Sequence, residues 1–227
     1  MGNSCGSWLA DCVACDERGR TLVENQFRFG VFLRPDPKTC AAVTQITGQL
    51  RAQYGLISAG AFPPHVTLAG SLPVVVPLAE LIQLIGFVLR RKRSFPVQNL
   101  GIRRLADAAI AYDVSSLDGA PNKSLNDLAG AVDFVVRPLL GPSVGLPADL
   151  YEPDRWMPHI SVASHELRVR ADLREEIEDY VNGLGVIPPA SFTADTVMLY
   201  RFAHNTWTGT WWREMRWEHV RSWRLVA

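Results

Sequence analysis

The 227-residue sequence predicts an α+β fold made of two similar halves. A short pattern of proline, histidine, β-branched residue and hydroxyl, followed by small or apolar residues, occurs twice. The copies are Pro64-His65-Val66-Thr67-Leu68-Ala69-Gly70 and Pro158-His159-Ile160-Ser161-Val162-Ala163-Ser164. Each copy follows a strand pattern, a helix pattern and a loop, and the two histidines stand 94 residues apart, at 65 and 159. In a strand, side chains alternate between faces. The histidine and the hydroxyl two positions later therefore point the same way, while Val66 or Ile160 points into the core.

The first half opens with a strand over 27–33. A helix over Pro37–Tyr54 follows, with proline at its start, Val43, Ile46 and Leu50 on one stripe, and Gly55 at its end. The first motif strand covers 65–71. Residues 72–89 are mostly apolar, but Pro73, Pro77, Glu80, Gln83 and Gly86 interrupt them, so the segment reads as an amphipathic helix over 77–92 and not as a membrane span. Two strands expected to pair follow at 96–104 and 108–115. The second half has a helix from about Pro121, with Leu125, Leu128, Val132 and Val135 facing inward. The second motif strand covers 159–164. A helix over 171–183 carries Leu173, Ile177, Tyr180 and Val181, and strands over 191–201 and 211–226 close the chain. The proline before each histidine fixes φ and lacks a donor, which marks the first residue of a strand arriving from a loop.

Residues 1–25 read as a flexible tail and 26–227 as one domain. The N-terminus lacks the charged start and apolar run of a secretory signal, so a cytoplasmic protein is expected. Met1-Gly2-Asn3-Ser4-Cys5-Gly6 falls short of a lipidation signal, because Gly6 stands where a hydroxyl residue is wanted. Cys12 and Cys15 have one near neighbour, Cys5, with Cys40 distant, so unpaired thiols are expected rather than a zinc site. The 23 basic and 23 acidic residues cancel. A long polyanion held by charge is therefore disfavoured, while a small or end-bound nucleotide is not. Arg90-Arg91-Lys92-Arg93 reads as a solvated helix end. A monomer is expected.

Two imidazoles and two hydroxyls around one anion suit acid–base attack on a phosphate diester without a metal or any other cofactor. One imidazole takes a proton from water or a ribose hydroxyl, and the other gives one to the leaving oxygen. Histidine suits both tasks, since its ordinary pKa is about 6.5. His159 is assigned the base role and His65 the acid role, with Thr67 and Ser161 donating to the non-bridging oxygens. Phe62 and Trp156, each three residues before a motif histidine, and Tyr200 are expected to flank the cleft and stack on a base. Five tryptophans crowd into 207–223, and Trp217, His219, Arg221 and Trp223 are expected to alternate onto one strand face. His165, His204 and His219 are expected to be non-catalytic.

The paired motifs resemble those of the 2H phosphoesterase superfamily, which includes the 2′-5′ RNA ligase-like proteins and the 2′,3′-cyclic phosphodiesterases. The resemblance covers roughly residues 26 to 226. Serine replaces threonine in the second copy and keeps the hydroxyl donor. The resemblance implies a bilobal, pseudo-symmetric fold, with two antiparallel sheets facing a central cleft and helices packed outside. It also implies a 2′,3′-cyclic phosphate or a related nucleotide or RNA-end diester as substrate. Two rival readings are a nucleotide- or RNA-binding module without turnover, and a zinc hydrolase using His65, His159 and Asp154. The second is disfavoured because no His-x-x-x-His cluster is present.

Overall fold

The computed structural model describes residues 27–106 and 109–227, and also the backbone of a short antiparallel pair, β1 (Ala14–Cys15) and β2 (Thr21–Leu22). The rest of the expected tail, the Met1–Gly6 signal and the side chains of Cys5, Cys12 and Cys15 lie outside the described residues.

Local chemistry sets the first helix as its sequence predicts. After β3 (Phe27–Leu33), the Asp36 carboxylate accepts the Thr39 N–H at 2.8 Å and caps α1 (Pro37–Tyr54). Gly55 closes that helix with φ of 69°, a left-handed turn that glycine adopts without a Cβ clash. Val43, Ile46 and Leu50 are buried together. A 3-10 turn at Ser58–Gly60 leads to β4 (Val66–Leu72), which pairs antiparallel with β3.

The chain continues through α2 (Leu78–Leu89), β5 (Phe95–Gln98), β6 (Ile102–Arg104) and β7 (Ile110–Asp113). A small hairpin of β8 (Ser116–Leu117) and β9 (Ala120–Pro121) precedes α3 (Lys123–Val136), whose first turn is capped by the Asn122 side chain. Its inner stripe is Leu125, Leu128, Ala129, Val132 and Val136, so Val136 takes the place expected of Val135. Then come β10 (His159–Ala163), α4 (Glu166–Val169), α5 (Arg174–Gly183), β11 (Ser191–Ala194), β12 (Thr196–Ala203) and β13 (Arg216–Arg224).

The antiparallel sheets have the orders β13-β12-β3-β4, β10-β7-β6 and β11-β5. The two motif strands hold corresponding places in this topology. β4 pairs with β3 across α1, and β10 pairs with β7 across α3, so each motif strand ends its sheet beside the strand that precedes its half's helix. β4 and β10 lie against each other. One apolar core runs through both, with Leu33, Leu68, Leu125 and Ile160 all buried. The opposite face of the four-stranded sheet carries a separate, largely aromatic cluster of Phe32, Met198, Tyr200, Phe202 and Trp207.

Three expectations are corrected. The strand expected over 96–104 breaks at Gly101, whose φ of 96° turns the chain while its N–H donates to the Asn99 side chain. β5 consequently joins β11, and β6 alone pairs with β7. The last strand begins at Arg216, because Trp211–Arg213 form a 3-10 turn. A bulge shifts the β12–β13 register between Leu199 and Tyr200. It places Trp217 and His219 against Tyr200, while Trp223 turns to the other face and packs against Gly86 of α2.

Candidate active site

His65, Thr67, His159 and Ser161 line one cavity of about 680 Å³. The two rings are held in the same way. His65 Nδ1 lies 2.9 Å from the Pro63 carbonyl oxygen, and His159 Nδ1 lies 2.8 Å from that of Met157. A carbonyl oxygen only accepts, so Nδ1 carries the proton in both rings and Nε2 remains for the cavity. The prolines at 64 and 158 explain the match. Proline holds the residue before it in an extended conformation, which presents that residue's carbonyl to the ring that follows.

The surroundings of His65 are aromatic. Phe62 stacks on it at 4.4 Å and 21°, and Phe32 meets it edge-on at 4.4 Å. Burial strips water from the imidazolium and pushes the His65 pKa down to about 4. The Pro63 bond opposes this shift and the charge of nearby His159 adds to it. With a pKa of about 4 the ring is neutral at pH 7, and because it keeps part of its surface open to the cavity it is still reachable. This environment favours His65 as the base, the reverse of the assignment made from sequence. Phe32 owes its position to Gly30, where an added Cβ would sit 2.2 Å from the Phe32 ring.

A buried carboxylate ties the two motifs together. Glu166, five residues beyond Ser161, accepts the N–H groups of Ile57 and Ser58, each at 2.8 Å, and the Ser58 hydroxyl. The Ser58 oxygen in turn accepts the His165 N–H at 3.1 Å. The segment leaving β10 thereby fixes the turn that leads into His65. Charge-assisted bonds of this kind are about twice as strong as neutral ones.

Of the aromatic residues expected at the cleft, Phe62 and Trp156 line the cavity and Tyr200 does not. Tyr200 is buried behind Phe32 and Phe62, because alternation along β12 puts it in the aromatic cluster under the cavity wall. Asp154 lies outside the lining as well. Among the described residues, no group of three or more His, Cys, Asp or Glu side chains is placed to hold a metal ion. His165 lines the cavity and stacks on Trp212 at 5.0 Å, whereas His204 and His219 stand away from it. Arg28 was not singled out by sequence, although an arginine inside an apolar strand was a signal. It is 2% exposed, donates to the Phe27 and Val144 carbonyls, and lies 5.4 Å from the centre of the Trp207 ring in the cavity wall. Burial lowers its pKa.

The family model of the 2′-5′ RNA ligase superfamily matches residues 35–206, which include both motifs. The chain belongs to that superfamily, the group resembled at the outset as 2H phosphoesterases. No curated protein sequence matches it. Among solved structures it is similar to TT0787 of Thermus thermophilus, with 15% identity over 87% of this chain and 97% of that one, and a TM-score of 0.54. It is also similar to a protein described as a phosphoesterase, with 15% identity over 88% and 99% of the two chains and a TM-score of 0.50. These two likenesses support the α+β fold. Among the described residues, no helix is long and apolar enough to cross a membrane.

The Glu166 network generates a stability prediction. Glu166→Ala leaves two backbone donors and a hydroxyl without their acceptor, and urea unfolding should show a loss of about 2–4 kcal/mol with an unchanged m value. A loss under about 0.5 kcal/mol, the usual range for surface changes, would remove the network from the fold's support. His65 generates a second prediction. Its folded pKa of about 4 lies below the unfolded value of about 6.5, so the unfolded chain binds the proton first as pH falls. Its contribution to stability is present above about pH 6.5 and is lost progressively down to about pH 4. The unfolding free energy of His65→Gln should fall less steeply than that of wild type across this window. Parallel curves would contradict the assignment.

Proposed function

We propose that the protein is a metal-independent phosphodiesterase that opens a 2′,3′-cyclic phosphate or a related nucleotide or RNA-end diester by two-histidine acid–base catalysis. One observation carries the reading. Two imidazoles with matched Nδ1–carbonyl bonds, each two residues from a hydroxyl, line a single cavity. Membership of the superfamily supports a phosphoryl-transfer enzyme of phosphodiesterase or ligase type.

In the proposed step, neutral His65 takes a proton from water at Nε2 as the water oxygen bonds to phosphorus. Protonated His159 gives its Nε2 proton to the ribose oxygen as the bond from phosphorus to that oxygen breaks. The product is a phosphate monoester. His65 is left protonated and His159 neutral, and exchange with solvent resets both. Thr67 and Ser161 donate to the non-bridging oxygens, where negative charge grows in the transition state. Arg28 in the same wall adds positive potential.

Turnover of 2′,3′-cyclic nucleotides should persist in EDTA. His65→Ala and His159→Ala should each lower kcat by about 10²–10⁴, and the double variant by less than the product of the two. Thr67→Val should cost about 10²–10³ in kcat with the fold intact. The pH–rate profile should be bell-shaped, with an acid limb well below the ordinary imidazole range that disappears in His65→Ala. Near-wild-type rates in both single histidine variants would end this mechanism. A wild type that binds nucleotides and converts none would establish the binding-module alternative.

A further inference from the structure

We propose that Trp211 is the platform on which this site stacks the base of its substrate, a role that rests on the phosphodiesterase reading and adds a ligand-binding residue to it. A base needs a flat ring that reaches the cavity and does not already carry a parallel partner. Of the aromatics expected from sequence, Phe62 lies flat on His65 and Tyr200 sits behind the wall. Trp156 also reaches the cavity with only the edge-on ring of Tyr151 beside it, but it packs onto the main apolar core and not onto the aromatic cluster that meets His65.

Trp211 meets the requirement. It lines the cavity and is half-buried, at the start of the 3-10 turn Trp211–Arg213. The next residue anchors that turn. Trp212 is buried and stacks on His165 at 20°, and the Arg213 N–H donates to the Thr210 carbonyl. The rings around Trp211 meet it at steep angles, His165 at 66°, Trp212 at 86° and Trp207 at 53°. Among the described residues, none of these rings is parallel to it.

Its placement links base to phosphate. Trp211 packs against the cluster of Phe32, Phe202 and Trp207, and Phe32 of that cluster meets His65. Its neighbour His165 follows the second motif strand within four residues of Ser161 and bonds to Ser58 in the first half. One aromatic wall thus spans from the imidazole to the indole. Stacking on such a ring tolerates any base and favours the larger purine face, so the site selects base-bearing diesters over bare sugar or glycerol cyclic phosphates.

The test compares wild type, Trp211→Leu and Trp211→Phe on adenosine 2′,3′-cyclic phosphate, cytidine 2′,3′-cyclic phosphate and the base-free probe glycerol 1,2-cyclic phosphate. Leucine keeps an apolar side chain and removes the π-face, whereas phenylalanine keeps a π-face. In Trp211→Leu, KM for the adenosine substrate should rise about 10- to 100-fold with kcat nearly kept. The cytidine substrate should be affected less, the glycerol probe unaffected, and Trp211→Phe should recover most of the loss. An unchanged adenosine KM, or an equal rise with the glycerol probe, overturns the proposal. If wild type turns over none of the three, the phosphodiesterase reading fails, and equilibrium dialysis with adenosine 3′-monophosphate still decides the stacking role. Binding weakened by leucine and restored by phenylalanine upholds it. Equal affinity in all three proteins, or no measurable affinity in any, overturns it.

Discussion

The Glu166 carboxylate is the interaction on which the site most depends. A buried carboxylate is costly unless its oxygens are well supplied with donors, and here the Ile57 and Ser58 amides and the Ser58 hydroxyl supply them. Neither half satisfies this group alone. The carboxylate stands just after the second motif strand, and its donors stand on the turn before the first. Correct seating of one motif therefore requires correct seating of the other, which is how two strands in different sheets come to serve one cavity.

From that frame the two histidines inherit the same geometry and different environments. Each ring is pinned through Nδ1 to the carbonyl two residues earlier, so both offer Nε2. The difference lies in their neighbours. His65 sits between Phe62 and Phe32, a setting that disfavours its charged form. The repeated motif supplies two imidazoles held alike, and burial among aromatic rings sets His65 apart by favouring its neutral form.

What sequence made legible was local. The α1 cap and stripe, the motif strands and the order of elements follow from spacing and turn chemistry, and all appear where read. Partner choice was not local. Asn99-Leu100-Gly101 divides an apparent strand between two sheets, and the bulge opposite Tyr200 sends Trp223 to the face opposite Trp217, because both depend on strands distant in the chain. The same limit applied at the site. Spacing from the motifs placed Phe62 and Trp156 on the cavity, but alternation within β12 could not say which face Tyr200 would take. His165 read as an ordinary histidine, yet the turn after β10 carries it to the cavity wall. Arg28, Phe32 and Glu166 stand outside both motifs, and their importance comes from packing and hydrogen bonds that no spacing encodes.

The central claim is that two imidazoles, each protonated at Nδ1, present Nε2 to one phosphate. Nitrogen-15 NMR of the histidine side chains during titration with inorganic phosphate tests it most directly. The account predicts that at pH 7 His65 is neutral with its proton on Nδ1, that His159 likewise holds a proton on Nδ1, and that the Nε2 signals of both move together along one saturation curve. A proton on His65 Nε2 in place of Nδ1, or a response to phosphate from one ring alone, would contradict it.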